Sequence, residues 1–323
     1  MAAPRPEATP GVTPAAWIPE GFDAVRDWFP ATPAFALPGR GAPGLDLSPR
    51  FAEAWWALEP AAWAALPAAL DGLADAAFVL VRGYLGHYMP GNLMSVRGAL
   101  RALGVDARIA PNRAGGTIAD NARRLVDAVE ARVPRGRPLV WLGHSRGGLE
   151  ALLALAQAPA LAARTRLVVL SQTPRGPSYV LESVLLGRHA ASRPLQRALA
   201  EQVQRAGLQA IGAARGGREL TRDALPELLA RVDAAPRPFP VVTTASWSSR
   251  PTTWLDSFHA RLGEIRPGVA HDGQFYLEDL LWPGLPHVYL PHVDHAQPVM
   301  EGFGFDPARY WLATLAAAWA LGR

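Results

Sequence analysis

Cysteine and lysine are both absent from this chain of 323 residues. The lack of cysteine excludes disulfide bonds, thiolate metal sites and a cysteine nucleophile. All 32 basic residues are arginine, and the pI of 9.9 overstates a net charge of only +4, because arginine stays charged to very high pH. The arginines occur as scattered short pairs without interleaved aromatic residues. We therefore expect no nucleic-acid partner.

Long apolar runs are missing as well. No stretch reaches the roughly eighteen residues that a membrane-spanning helix needs. The Pro- and Ala-rich residues 1–20 lack a basic start followed by an apolar core, so they do not resemble a secretory signal. Without a signal or disulfides, we expect a cytoplasmic location. Half of the residues are hydrophobic, which predicts a globular protein of one α/β domain with an insertion, or two modest domains, in an oligomeric state that is left open.

Short apolar runs alternate with helical patterns along much of the chain. Continuous apolar runs are typical of parallel strands that are covered on both faces. Their alternation with helical segments predicts βαβ units, and hence the α/β class with a mainly parallel sheet. The predicted strands are 77–81, 106–110, 138–142, 166–170, 241–245 and 288–290.

Two segments depart from this alternation. Residues 178–235 contain helical patterns but no strand pattern, which predicts an inserted helical cap, or lid, within a core formed by residues 77–177 and 236–323. Residues 1–76 are predicted to be an N-terminal extension that covers the core, with a disordered lead over residues 1–16 and a helical part from about Pro49. Its tryptophans either cover an edge of the sheet or form a flap that faces a substrate; they are Trp17, Trp28, Trp55, Trp56 and Trp63.

A G-x-S-x-G pattern centred on Ser145 lies between an apolar run and a helical segment. Strand, sharp turn and helix together are the context of a nucleophile elbow, in which a strained turn lifts a serine hydroxyl above the sheet. Glycine at 143 and 147 lets neighbouring backbones approach closely. The sequence therefore predicts that Ser145 is a nucleophile.

A serine hydroxyl needs a base, and a histidine in a loop after a late strand is best placed to serve. Two of the eight histidines meet this condition, His292 and His295. We prefer His295, because the order Val293-Asp294-His295 suits a loop that projects the imidazole over the sheet, and His292 stays an alternative. His144 is expected to pack beside Ser145. The remaining histidines are expected at the surface or in loops; they are His87, His189, His259, His271 and His287.

The acid that orients the base should precede it in the chain. Asp272 lies on a glycine-containing turn before His295 and is the preferred candidate. Asp256 is a weaker rival, as are Glu278 and Asp279, which are expected on a short helix facing water. Asp294 adjoins the base and cannot easily reach its Nδ1.

Stabilising an oxyanion requires two convergent backbone N–H groups. One is expected from Arg146, directly after the nucleophile. The other is expected from Tyr84, in the loop after the first predicted strand, where Gly83 permits a close approach.

In this order and at these spacings, the motifs resemble those of α/β-hydrolases of the bacterial lipase and GPI inositol-deacylase-like group. The resemblance covers about residues 77–300 and rests on Arg82-Gly83-Tyr84, Gly143 to Gly148, Thr173 to Ser178, Asp272-Gly273 and Asp294-His295. It implies an α/β-hydrolase fold that acts without a cofactor. Arg82 departs from the group's usual histidine, and Pro177 shifts the serine of its T-P-x-x-G-S motif. Gln297 stands where some of these lipases hold calcium through an aspartate, so we expect no metal.

The resemblance and the residues together predict a serine hydrolase for small or lipid-like carboxylic esters. Two alternatives stay open: acyl transfer to an alcohol or amine, and a non-catalytic module that binds an apolar ligand. The predicted cap carries apolar residues at near-helical spacing, which we expect to be buried and to form an acyl pocket that favours longer acyl chains; they are Tyr179, Val180, Val184, Leu185, Leu195, Leu199 and Val203.

Overall fold

A computed structural model describes residues 46–57, 70, 72–189, 195–248, 253, 255–319 and 321. The predictions for residues 1–16 and for Trp17, Trp28 and Trp63 lie outside the described residues, as does the side chain of Trp56.

A parallel sheet of six strands forms the centre of the described structure, in the order β2-β1-β3-β4-β5-β6. The strands are β1 (Ala77–Val81), β2 (Asp106–Ile109), β3 (Leu139–His144), β4 (Thr165–Ser171), β5 (Val241–Trp247) and β6 (His287–Pro291). Each predicted strand overlaps one of these, and the prediction of a mainly parallel sheet flanked by helices is confirmed.

Helices connect the strands and cover the sheet. They are α1 (Ser48–Ala57), α2 (Met94–Ala102), α3 (Ile118–Arg132), α4 (Arg146–Gln157), α5 (Pro159–Ala163), α6 (Tyr179–Leu186), α7 (Leu195–Ala210), α8 (Ala214–Arg218), α9 (Leu225–Asp233), α10 (Asp256–Ile265) and α11 (Pro307–Trp319). Helix α3 begins with a capping box, in which Thr117 and Asp120 each bond the other's backbone N–H. No helix within the described ranges has the length and apolar content to cross a bilayer.

Both faces of the sheet are buried, which explains the continuous apolar runs. In β3, Leu139 and Trp141 belong to one hydrophobic cluster, with residues of α3 and α4. Val140 and Leu142 belong to a second cluster on the opposite face, with residues of α1, α2 and α11. Side chains alternate between the two faces along a strand, so the four positions 139–142 of β3 all need apolar residues.

The strand order places a crevice beside the end of β3. The chain proceeds from β1 outward to β2, then returns across β1 to β3 and continues in the other direction. The loops that follow β1 and β3 therefore diverge, and ligands in open α/β sheets bind at such a reversal. These two loops carry Tyr84 and Ser145.

The described residues between β4 and β5 form helices and contribute no strand. Helix α6 begins after Ser178, whose Oγ accepts a hydrogen bond from the N–H of Leu181 at 3.2 Å. The expectation that the apolar residues of this insertion are buried is wrong for two of them. Leu199 is 53% exposed and Val203 is 72% exposed, because both lie on the outer face of α7.

Candidate active site

Ser145 occupies a strained turn between β3 and α4. Its φ of 54° and ψ of −133° lie outside the regions that residues with a Cβ ordinarily adopt. The surrounding backbone is close: a Cβ on Gly83 would lie 2.9 Å from the Cβ of Ser145, and a Cβ on Gly147 would lie 2.5 Å from the carbonyl oxygens of Val81 and Arg82. The glycines thus bring the loop after β1 directly against the serine.

A chain of hydrogen bonds links Ser145, His295 and Asp272. The distance from Ser145 Oγ to His295 Nε2 is 2.8 Å, and that from His295 Nδ1 to Asp272 Oδ2 is 2.6 Å. All three residues are buried. With the proton on Nδ1 shared with the carboxylate, Nε2 can accept the serine proton, which is the arrangement that the predicted roles of nucleophile, base and orienting acid require.

Backbone groups hold Asp272 in place. Its Oδ1 accepts hydrogen bonds from the N–H groups of Gln274 and Phe275, both at 2.9 Å. The N–H of His295 donates to the carbonyl of Asp272 at 2.8 Å, so the predicted acid and base are joined through both side chain and backbone. The other carboxylate oxygen, Oδ2, is left for the imidazole.

The loop after β6 is stabilised by Asp294, which lies next to the predicted base, His295. Its Oδ1 accepts from the N–H groups of Ala296 at 2.9 Å and Gln297 at 3.0 Å, and its Oδ2 accepts from the N–H of Thr253 at 2.9 Å. The Gln297 side chain in turn accepts from the N–H of Asp294 at 2.8 Å. Asp294 therefore shapes the loop that presents His295, while the alternative base, His292, is partly exposed on this loop.

His144 and Gln172 form hydrogen bonds with the backbone of the same loop, which carries His295. Nε2 of His144 lies 2.9 Å from the carbonyl oxygen of His295 and 3.1 Å from Oε1 of Gln172. Burial, and to a smaller extent the nearby His295, lower the pKa of His144 to about 3, so its ring is neutral near neutral pH. Gln172, which the sequence pattern did not indicate, has a φ of 45° and donates to the carbonyl of Asp294 at 3.0 Å.

The two predicted oxyanion donors, Tyr84 and Arg146, flank Ser145. Neither backbone N–H donates a hydrogen bond to another residue within the described parts of the chain. Arg146 is the first residue of α4, where an N–H has no partner within the helix. Two such groups beside a nucleophile can bind the oxygen of a tetrahedral intermediate.

The side chain of Arg146 is buried, a feature that the sequence did not predict. Its Nε lies 3.1 Å from Oε1 of Glu150, and both side chains are 1% exposed. Asn112 and Asn121 donate to Glu150 at 2.8 and 2.6 Å. Asn112 also donates to the carbonyl of Arg82 at 2.7 Å, so the network ties the loop after β1 to the start of α4.

The environments of two other predicted residues correct the sequence interpretation. His287, expected at the surface or in a loop, is 6% exposed and begins β6. His271 lies in a loop, as expected, but is also only 6% exposed. Asp279 lies on the expected short helix, a 3₁₀ turn over 277–280, but its side chain is only partly exposed. Burial raises its pKa to about 7, and the adjacent Glu278 adds to the rise.

An apolar cavity of about 310 Å³ opens over Ser145 and His295. Helices α6, α7 and α10 and the loop after β1 form its walls. Apolar residues of these walls include Leu85, Val180, Leu181, Val184, Leu208 and Phe258. Its volume falls at the lower end of the range for small-molecule sites, roughly 300–1,000 Å³.

Comparisons with known proteins bear on the fold. No protein-family model matches the sequence, and no curated protein matches it. Among solved structures, the chain is similar to a metagenomic carboxyl esterase, with 22% identity, a TM-score of 0.59 and coverage of 76% of each chain. It is also similar to a mature lipase of Bacillus licheniformis, with 18% identity, a TM-score of 0.53, and coverage of 69% of this chain and 85% of the lipase.

With this sheet order and these neighbours, the chain has the α/β-hydrolase fold, as the resemblance implied. The narrower resemblance to GPI inositol-deacylase-like proteins stays a prediction.

Proposed function

We propose that the protein is a serine hydrolase that cleaves carboxylic esters. The single observation that carries the proposal is the hydrogen-bonded series Ser145–His295–Asp272, with separations of 2.8 and 2.6 Å, at the floor of an apolar cavity. The fold likeness to a protein described as a carboxyl esterase and to a lipase supports the same class of reaction.

The proposed reaction has two halves. Ser145 Oγ attacks the acyl carbon while His295 Nε2 takes its proton, and the same imidazolium then protonates the departing alkoxide. Water next attacks the acyl-enzyme with His295 again as the base, which releases the acid and restores Ser145. Asp272 holds the Nδ1–H tautomer and stabilises the imidazolium, and the N–H groups of Tyr84 and Arg146 stabilise both tetrahedral oxyanions.

We assign residues 178–235 to a cap over this site, and residues 1–76 to an extension that covers the core. Three residues of α6 and three of α7 line the cavity above Ser145; they are Val180, Leu181, Val184, Gln204, Gly207 and Leu208. In the extension, Trp55 is 4% exposed and packs against Phe51 and Phe305. This packing supports the edge-covering role over the substrate-facing flap.

Fluorophosphonate labelling tests the proposal. The intact protein should gain one phosphonyl group, on a peptide that contains Ser145. Ser145→Ala should abolish labelling and lower turnover of p-nitrophenyl esters by roughly 10⁶-fold, as when such a triad loses a member. Ser95→Ala, in α2 outside the cavity, is the matched control and should keep both properties.

Two results would overturn the proposal: labelling at another residue, or undiminished ester turnover in Ser145→Ala. Product analysis with an added alcohol separates hydrolysis from acyl transfer, because a transferase would form the new ester in preference to the free acid. Binding of an apolar ligand without any turnover would instead favour the non-catalytic module.

A further inference from the structure

The two predicted oxyanion donors share a second property, which concerns their side chains. Both side chains contact the same short segment, residues 213–219, which contains α8. The phenol of Tyr84 donates to the carbonyl of Ala213 at 2.9 Å. The guanidinium of Arg146 lies 3.8 Å from the carboxylate of Glu219 and 5.8 Å from the centre of the Tyr84 ring.

Two glycines make this contact possible. A Cβ on Gly217 would lie 2.8 Å from the Tyr84 hydroxyl oxygen, and a Cβ on Gly216 would overlap both Nη1 of Arg146 and the carbonyl of Ala114. Residues 213, 216 and 217 are buried. The segment therefore packs closely against the two side chains.

The guanidinium of Arg146 is also held by groups outside residues 213–219. Its guanidinium donates to the carbonyl oxygens of Ala114, at 3.0 Å, and of Gly116, and it pairs with the buried Glu150. Burial raises the pKa of the Tyr84 phenol to about 12, so the hydroxyl keeps its proton and its hydrogen bond across the working range of an esterase. Each donor backbone is thus anchored through its own side chain.

We propose that residues 213–219 position the oxyanion donors, so that the helical insertion contributes to the chemical step as well as to the cavity. The inference rests on the proposed function. Tyr84 acts here through its side chain as a positioning residue for its own N–H. Misplacing a catalytic group by about 1 Å can cost up to roughly 10²-fold in rate, so loosening this contact should lower kcat.

Tyr84→Phe is the direct test, because it keeps the ring and the backbone N–H but removes the bond to Ala213. We expect kcat for p-nitrophenyl butyrate to fall about tenfold with little change in KM. Binding of a trifluoromethyl ketone, which forms a tetrahedral adduct on the serine, should weaken by a similar factor. Tyr88→Phe is the matched control: the Tyr88 hydroxyl bonds the nearby carbonyl of Ile211 at 3.2 Å, but its N–H is not an oxyanion donor.

A second variant perturbs the contact from the other side. Gly217→Ala would press against the Tyr84 hydroxyl and should also lower kcat with KM unchanged. Gly217→Ala should lower kcat less when it is added to Tyr84→Phe than when it is made in the parent protein, because the two changes act on one contact. Thermal unfolding of each variant shows whether the fold is intact.

The outcomes separate the two proposals. If Tyr84→Phe behaves like Tyr88→Phe in an enzyme whose Ser145 is labelled, the positioning role is wrong and the proposed function stands. If KM rises while kcat is unchanged, the segment shapes only the cavity, which also overturns the inference. If Ser145 is not labelled in the parent protein, the proposed function itself fails.

Discussion

The imidazole of His144 donates a hydrogen bond from Nε2 to the backbone carbonyl of His295, 2.9 Å away. The proton's position follows from the neighbours. Gln172 uses its amide NH₂ to donate to the carbonyl of Asp294 and to Ser246, so its Oε1 must be the atom that faces His144. Nε2 of His144 then meets two acceptors and must carry the proton. The residue before the nucleophile thus holds the loop that presents the proposed base.

Removing this bond should impair the base without removing it. We expect His144→Ala to lower kcat by about tenfold to a hundredfold, since the loop of His295 loses its anchor. His144→Gln should recover part of the loss, because its amide can replace the Nε2–H donor. Steady-state kinetics with p-nitrophenyl butyrate measures both, with His87→Ala, at an exposed position outside the cavity, as the control. Equal losses in the Ala and Gln variants would show that shape, not the hydrogen bond, matters at this position.

The choice between the two candidate bases gives a second prediction. His295→Ala should lose about as much activity as Ser145→Ala, and the double variant should be no worse, because members of a triad act as a unit. His292→Ala should keep at least about a tenth of the activity, since this partly exposed residue lies outside the cavity lining. A reversed result in the same ester assay would make His292 the base.

The cavity predicts a preference for acyl chains longer than acetyl. Each methylene that enters the apolar cavity contributes up to ~0.8 kcal/mol, or roughly fourfold in kcat/KM. Val184→Phe should fill part of the cavity and move the preference to shorter chains. Val203→Phe, on the exposed side of α7, should leave it unchanged.

A series of p-nitrophenyl esters from acetate to dodecanoate, measured below the micellar limit, tests this preference. A trend that is flat or falling from acetate to octanoate would contradict the acyl pocket and favour small or polar esters.

Most of the sheet could be predicted because its signal is local. An all-apolar run such as Phe78-Val79-Leu80 is needed wherever both faces of a strand are covered. The ends of the strands were harder to predict. Strand β5 continues to Trp247 because Ser246 and Trp247 pair with β6. Those partners are distant in the chain and leave no local pattern.

The candidate site likewise contains residues that the sequence predicted and residues that it did not. Ser145, Asp272 and His295 were found because an elbow motif and chain order restrict them, although their roles stay proposals. Gln172 and Glu150 were missed, since their hydrogen bonds join residues 28 to 122 positions apart, and the pairing of Glu150 with Arg146 depends on burial. The burial of His271 and the place of His287 in β6 were not predicted either, because a single sequence does not show which loops are covered or where an edge strand begins.

Asp279 gives a prediction about stability against pH. Its carboxyl is packed against Gly176, where a Cβ would overlap Oδ1, and no described residue bonds its Oδ2. Burial raises its pKa from 3.8 to about 7. Below the unfolded value both states hold the proton, so the contribution to stability is complete there. As the pH rises through about 7 the folded state must give up the proton at a cost, and this contribution is lost.

Asp279→Asn removes the titration and keeps the shape of the side chain. Relative to this variant, the wild-type free energy of unfolding should fall by about 1–2 kcal/mol between about pH 5 and pH 8, a figure reduced from the full shift because the side chain is partly exposed. Urea unfolding of both proteins at the two pH values measures the difference. Asp127→Asn, which removes a carboxyl from the exposed side of α3, is the control. A wild-type protein that gains stability relative to Asp279→Asn as the pH rises would show that the carboxyl is charged and favourably solvated in the fold, contrary to its packing against Gly176.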